Sequence, residues 1–301
     1  MALATPVTSQ PHYGEHLGDV DYWSAYVHAA LDRHSLPHKP IEAPFVGSFP
    51  TFLAGDLVVK LFADAFDGAS AYTTEKSMLE LLSTVPEIRA PELIATGDLF
   101  RDGGWRWPYL IISRMPGTAI RELPTDETTR LAAGQLGAAT ARLHALPAPE
   151  AVAVRDILPG LRAEAVARLR RNGLPEHLAE QVPEFLADAP AERVLVHADL
   201  TADHLFLDTA GLSGIIDWAD AITADPWYEL VAVRLDGLRS DAGLFVEFLD
   251  AYGWPYTVDF PIRALQGVLE FQFNAIAGLG DLSRIATLEE LAQRLFADPR
   301  G

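Results

Sequence analysis

Cysteine is absent from the 301 residues, which excludes disulfides, thiolate nucleophiles and cysteine-ligated zinc together. No stretch approaches the roughly 20 consecutive apolar residues of a membrane span, although an apolar fraction of 49% is ample for a core. The opening Met1-Ala2-Leu3-Ala4 lacks a basic region followed by an apolar run, so no signal peptide and no membrane partner are expected, and the expected compartment is cytoplasmic. Basic residues are scarce: 23 Lys and Arg stand against 42 Asp and Glu, a net charge of −19, so nucleic-acid phosphates would be repelled. Also missing are a Walker-type Gly-Lys-Ser/Thr loop, Gly-x-Gly-x-x-Gly and His-Glu-x-x-His. There is no Gly-x-Ser-x-Gly for a serine hydrolase, and no internal repeat.

The length permits one large domain or two small ones, and a monomer is expected. The acid is unevenly spread. Residues 1–116 hold 8 Lys/Arg and 14 Asp/Glu, a balance of −6, and residues 117–301 hold 15 and 28, a balance of −13. An acidic surface concentrates a polycationic partner; a solubilising surface is the simpler account of charge taken alone.

Residues 1–18 are polar, contain proline and show no periodicity, as in a loose arm. A helix opens at Asp21-Tyr22-Trp23, with Trp23, Val27 and Leu31 four apart, and stops by Pro37. Two strands are expected near 49–53 and 57–62, turning at Gly55-Asp56. The bend at Gly47-Ser48 is a candidate for laying backbone N–H groups over phosphates. Lys60 sits inside the second apolar run, where a lone ammonium is costly to bury. Residues 70–85 read as a helix on which Glu75, Met78, Leu79 and Leu82 share one face, while Glu80 lies on the other. Glu75 is therefore the carboxylate expected to pair with Lys60; an edge-strand lysine reaching to water is the alternative.

Residues 91–97 and 107–113 form a plausible hairpin around Asp102-Gly103-Gly104. The second strand runs into Ser113-Arg114-Met115-Pro116-Gly117, where Pro and Gly open a connector. Helices follow. One is capped by Thr125 and runs to about 146, with Leu131, Leu136, Ala139 and Leu143 inward. Others are expected at 158–171, with a solvated basic face (Arg162, Arg168, Arg170, Arg171), and at 176–186. The last four are expected from Asp225-Pro226 to about 238, at 240–252, at 260–279 and at 287–296, with Thr287 as a cap.

The chemistry concentrates in His197-Ala198-Asp199-Leu200-Thr201-Ala202-Asp203-His204, held between apolar runs at 193–196 and 205–207, and in Ile216-Asp217-Trp218 at the end of a third run. A loop acid, a ligand-type residue five positions on and a strand-end acid suit phosphoryl transfer: one carboxylate accepts the hydroxyl proton, and the others hold the metals that neutralise the phosphates.

This pattern resembles the aminoglycoside phosphotransferase family, small-molecule kinases of protein-kinase-like fold. The family pattern is His-Gly-Asp-Leu, an Asn five after the Asp, then Ile-Asp-Trp and Gly-Asp-Pro. This chain has His197-Ala198-Asp199-Leu200, His204, Ile216-Asp217-Trp218 and Ala224-Asp225-Pro226. Within the family, the stretch from Trp107 to Gly117 and Leu288-Glu289-Glu290-Leu291-Ala292-Gln293 look most like hygromycin B phosphotransferases. The resemblance implies an α+β, bilobal fold: an N-terminal arm at 1–20, a small antiparallel-sheet nucleotide-binding lobe at 21–115 and a larger, mainly helical catalytic and substrate-binding lobe at 116–301.

It further implies ATP or GTP and Mg2+ as cofactors, Asp199 as the catalytic residue and Asp217 as the metal ligand. Lys60, oriented by Glu75, would hold the nucleotide phosphates, with Ser48 near them. Ser113 and Met115 would present backbone to the base, and Ile216 would floor its pocket. A cationic antibiotic would be the acceptor, its amines on Asp220, Asp236 or Glu270. His204 departs from the family's Asn; imidazole is a poorer ligand for Mg2+, though some macrolide phosphotransferases carry His here. His204 is expected as a variant or water-mediated ligand. The competing acceptors are a macrolide or a metabolite hydroxyl, as in choline- or homoserine-type kinases. A nucleotide-binding pseudokinase and a hydrolase metal site built from His197, Asp199, His204 and Asp217 are the rivals from other classes; the latter leaves Lys60 and Glu75 unexplained.

Overall fold

The computed structural model describes residues 3–6, 14–44, 47–101, 104–189 and 192–297. The expected hairpin turn at Asp102-Gly103 and parts of the expected N-terminal arm lie outside them. The chain divides into two compact units: Met1–Met115 with Asp217–Asp220, and Pro116–Ile216 with Ala221–Gly301.

In the first unit, Asp19 caps α1 (Val20–Arg33) by accepting the Tyr22 N–H, and the helix buries Trp23, Val27 and Leu31. Trp23 packs against Trp107, ring centroids 5.2 Å apart. A five-stranded antiparallel sheet follows, in the order β1 (Ile41–Glu42), β2 (Thr51–Ala54), β3 (Leu57–Leu61), β5 (Pro108–Ser113), β4 (Leu93–Asp98). The two-residue β1 is too short to leave a periodic signal. Val59, Lys60 and Leu61 on β3 are all buried, so both faces of this central strand are covered there; Lys60 pairs in register with Thr51 on one side and Leu110 on the other. α2 (Gly68–Leu82) buries Glu75, Met78, Leu79 and Leu82, each apolar one contributing about 1.5–3 kcal/mol.

In the second unit, β6 (Thr118–Ala119), β8 (Leu205–Asp208) and β9 (Gly211–Ile215) form one small sheet, and β7 (Val194–Val196) pairs with β10 (Ile222–Ala224). The rest is helical. α3 (Glu127–His144) is capped by Asp126 and not by Thr125: the Asp126 carboxylate accepts the Thr129 N–H while the Thr129 hydroxyl accepts the Asp126 N–H, a reciprocal cap. Its buried face runs through Ala132, Leu136, Ala139 and Leu143. Leu131, expected inward, is 51% exposed, one residue off that stripe.

The segments 158–171 and 176–186 are broken into short helices, not continuous ones. After α4 (Glu150–Ala153) come α5 (Leu158–Ala163), α6 (Ala165–Arg171), α7 (Glu176–Ala179) and α8 (Val182–Phe185). The break at Glu164 turns Arg168 inward, contrary to a solvated basic face. Its guanidinium donates to Leu269 O and Phe271 O at 2.7 Å each, satisfying carbonyls at a helix end that otherwise lack partners. That helix, α11 (Phe260–Glu270), ends nine residues short of the expected 279 because Phe271 turns extended and Gln272 N–H is taken by the Tyr228 hydroxyl. Before it come α9 (Pro226–Ala232), a wide turn at Val233–Gly237, and α10 (Ala242–Tyr252), which is capped by Asp241; α12 (Leu288–Phe296), capped by Thr287, follows. Among the described residues no helix is long and apolar enough to cross a membrane.

Candidate active site

Within the first unit the buried Lys60 meets two carboxylates. Its Nζ lies 2.8 Å from Glu75 Oε2 and 2.7 Å from Asp217 Oδ1. The Glu75 contact is the pair anticipated from the helix period; the family resemblance puts Asp217 and Lys60 at one nucleotide site but implies no direct bond between these partners 157 residues apart. Burial by itself lowers the Lys60 pKa, but the charges of Asp217 and Glu75 and hydrogen bonds to both outweigh it and hold the ammonium above its ordinary value. Burial pushes the Glu75 carboxyl above the usual range, Lys60 opposing and Asp217 and Asp220 adding to the shift. The Phe49 and Phe62 rings lie 5.9 and 5.5 Å from Nζ, within cation–π range.

Asp217 has φ 62°, a left-handed backbone that costs a non-glycine residue about 1–2 kcal/mol. It is kept there by the Lys60 bond and by the buried Trp218 that follows it. Asp220 ends the same short turn, Trp218–Asp220. Ser48 is exposed. Ser113 Oγ accepts the Glu92 N–H at 2.9 Å, so its side chain ties β5 to the start of β4, and Met115 is half-buried.

Within the second unit the His-x-Asp loop is braced from several sides. His197 accepts the Asp199 N–H on Nδ1 at 3.2 Å and donates from Nε2 to Ile216 O at 3.0 Å, which fixes its tautomer. His204 Nδ1 lies 2.8 Å from Asp199 O and 3.4 Å from Asp199 Oδ2; a ring that donates from Nδ1 to a carbonyl carries its lone pair on Nε2. Ile216 N–H donates to His204 O. The fully buried Glu229, not singled out from the sequence, accepts the His197 N–H at 2.7 Å and the Ala198 N–H at 3.0 Å. Ala198 has φ 68° at the position where the family pattern has Gly, so these two bonds hold a backbone that Gly would adopt without strain. Nothing in the local pattern marks Glu229, since its partners lie 31 and 32 residues back along the chain.

Asp225 caps α9 by accepting the Trp227 N–H at 3.1 Å. Burial pushes its carboxyl up from 3.8 to about 6. Between those values the folded chain binds more protons than the unfolded one, so this group's contribution to stability falls as pH rises from 3.8 to about 6. Asp225→Asn keeps the cap acceptor and removes the titration. Its unfolding temperature should match the wild type near pH 4 and exceed it at pH 7; thermal melts with the same pH slope in both proteins would contradict this.

The candidate acceptor carboxylates are already engaged. Asp236 Oδ1 accepts the Ala202 N–H at 2.7 Å and an Arg121 N–H at 2.9 Å. Glu270 is buried and paired with Arg162. A cavity of about 440 Å³ in the same unit has Glu184, Asp188, Asp259 and Glu289 among its lining; none of the residues anticipated from the sequence lines it. Among the described residues no group of three or more His, Asp or Glu side chains is arranged to hold a metal.

A lysine on an antiparallel sheet bonded to a helical glutamate is the arrangement of protein-kinase-like folds, and this chain has that fold. The solved GDP and kanamycin complex of APH(2")-IIia superimposes with a TM-score of 0.66 at 22% identity, over 81% of this chain and 87% of that one. The model of the APH phosphotransferase enzyme family matches residues 46–265; the chain belongs to this family. Viomycin phosphotransferase of Streptomyces vinaceus is 24% identical over 204 residues, covering 62% of this chain and 70% of that protein. The lysine-specific demethylase JMJ21 of Arabidopsis thaliana is also 24% identical over 204 residues, 50% of this chain, but the match spans only 22% of that protein's length.

Proposed function

We propose that the chain is a cytoplasmic kinase that transfers the γ-phosphate of ATP or GTP to a hydroxyl of an aminoglycoside or aminocyclitol antibiotic of the hygromycin B kind. The observation that carries this reading is the doubly paired Lys60, 2.8 Å from Glu75 and 2.7 Å from Asp217, in a chain of the phosphotransferase family. Lys60 holds the nucleotide phosphates, Glu75 orients it, and the bend at Ser48 covers them. The backbone at Ser113 and Met115 is the candidate partner of the base, and Ile216 is the candidate floor residue. Asp199 orients the acceptor hydroxyl and accepts its proton as the new oxygen–phosphorus bond forms and the nucleoside diphosphate leaves.

Mg2+ takes one or two protein carboxylates together with substrate phosphates. Asp217, its side chain 30% exposed, fits that role, and a protein site of three ligands is not required. When bound, the ion neutralises the transferring phosphoryl group. His204, standing where the family pattern has Asn, is the second candidate ligand. Asp217→Ala should therefore reduce nucleotide affinity in Mg2+ to the level measured without it; calorimetry showing an unchanged Mg2+ effect would remove Asp217 from this role.

Support for a cationic acceptor comes from the −13 balance of residues 117–301 and from the kanamycin and viomycin relatives. The likeness of Trp107 to Gly117, and of Leu288 to Gln293, to hygromycin B phosphotransferases favours that antibiotic. Asp220 is kept as a candidate for its amines by its place in the turn after Asp217; Asp236 and Glu270 already meet Arg121 and Arg162. The test is a panel of aminoglycosides, hygromycin B, viomycin and macrolides incubated with ATP or GTP and weighed for one added phosphate. Phosphorylation of hygromycin B supports the full reading, and phosphorylation of a macrolide alone would overturn the choice of acceptor. A panel with no phosphorylated product would overturn an antibiotic as the acceptor.

A further inference from the structure

We propose that Arg121 and Asp236 form a clasp that sets the position of Asp199, so that both act as positioning residues and neither receives the acceptor. The inference rests on the kinase reading above. Glu229 fixes the loop before Asp199, through the N–H groups of His197 and Ala198. The clasp fixes it after Asp199. Asp236 Oδ1 accepts the Ala202 N–H at 2.7 Å, and Ala202 O accepts the Arg121 N–H at 3.3 Å. The Arg121 guanidinium bridges Asp236 Oδ1 at 2.9 Å and Asp203 Oδ1 at 2.7 Å.

The wide turn at Val233–Gly237, closed by Leu238 N–H on Val233 O, delivers Asp236 to the loop. Turns of this width inside helices are rare and recur at functional sites. Gly237 brings the turn into contact with the loop, because a Cβ there would sit 2.1 Å from Leu200 O. All three charged side chains are 39–47% exposed, and ion pairs this exposed contribute little to stability. What the clasp supplies is a fixed register for the segment from Asp199 to His204. A reacting group misplaced by 1 Å can lose about a hundredfold in rate.

Asp236→Ala, Asp236→Asn and Arg121→Gln separate the possibilities. Positioning predicts that Asp236→Ala lowers kcat at least about tenfold while acceptor KM stays within about threefold. Asp236→Asn, which keeps an oxygen for the Ala202 N–H, recovers most of that rate, and Arg121→Gln falls between. A role in binding the acceptor's amines predicts the reverse, with Asn and Ala alike raising KM at unchanged kcat; that result would overturn the clasp. Amide hydrogen exchange supplies a measure independent of turnover. Peptides spanning 198–204 should exchange faster in Asp236→Ala and near the wild-type rate in Asp236→Asn, with peptides from β3 and β5 as the control. Unaltered exchange of 198–204 in Asp236→Ala overturns the proposal. A wild type that phosphorylates nothing in the panel sinks the antibiotic acceptor instead, and exchange alone then decides whether the clasp holds the loop.

Discussion

Asp199→Asn should lower kcat about a hundred- to ten-thousandfold, the usual worth of a positioned acid–base group, while nucleotide affinity stays near the wild-type value. The substitution is close to isosteric, and much of the local bracing runs through backbone that it does not alter. The Asp199 N–H still reaches His197 Nδ1, and the Asp199 carbonyl still accepts from Thr201 N–H and His204 Nδ1. What disappears is a carboxylate able to orient the hydroxyl and take its proton. Stopped-flow turnover together with nucleotide calorimetry checks both halves. Turnover within a few-fold of wild type would assign the proton to another group.

Lys60→Met should unfold the chain more easily as well as abolish nucleotide binding. Removing the ammonium leaves Glu75, 1% exposed, without its cation, so it must either stay charged in the core or take up a proton, and breaking a buried pair from one side costs about 3–5 kcal/mol. For a chain of this size that is a fall of roughly 10 °C in unfolding temperature. Adding Glu75→Gln should recover part of the loss, because the second change removes the stranded charge, yet it should restore no activity. Double-mutant thermal melts test this directly. Strictly additive losses would mean that the pair is not energetically coupled, and an undiminished melting temperature in Lys60→Met would mean that it is not buried in solution.

The two substitutions also separate what local pattern can report from what it cannot. Lys60 and Glu75 were legible because an ammonium in an apolar strand demands a partner, and the 3.6-residue period says which acid of the next helix faces inward. Asp225 at its cap and Thr287 at α12 were legible because helix ends leave bare N–H groups that a neighbouring side chain must meet. Leu131, whose neighbour carries the stripe, shows how little a one-residue error leaves of such an argument. The family followed from short motifs, above all His197-Ala198-Asp199-Leu200 and Ile216-Asp217-Trp218, in which the acids suit phosphoryl transfer while Trp218 is buried.

Composition and period by themselves determined most helix positions and the absence of thiol chemistry, while the antiparallel-sheet lobe and the candidate phosphoryl-transfer residues came from short motifs and the family they resemble. Tertiary structure alone decided the rest. It placed Asp217 on Lys60 across 157 residues, turned Arg168 inward to the end of α11, drew Glu229 beneath the Ala198 backbone and joined Arg121 to Asp236 across 115 residues. Each of these is a charged group meeting a partner far along the chain. Periodicity reports which side of an element is buried; it carries no information on which distant charge or orphaned backbone group will be waiting there, since only chain closure brings the two within a few ångströms.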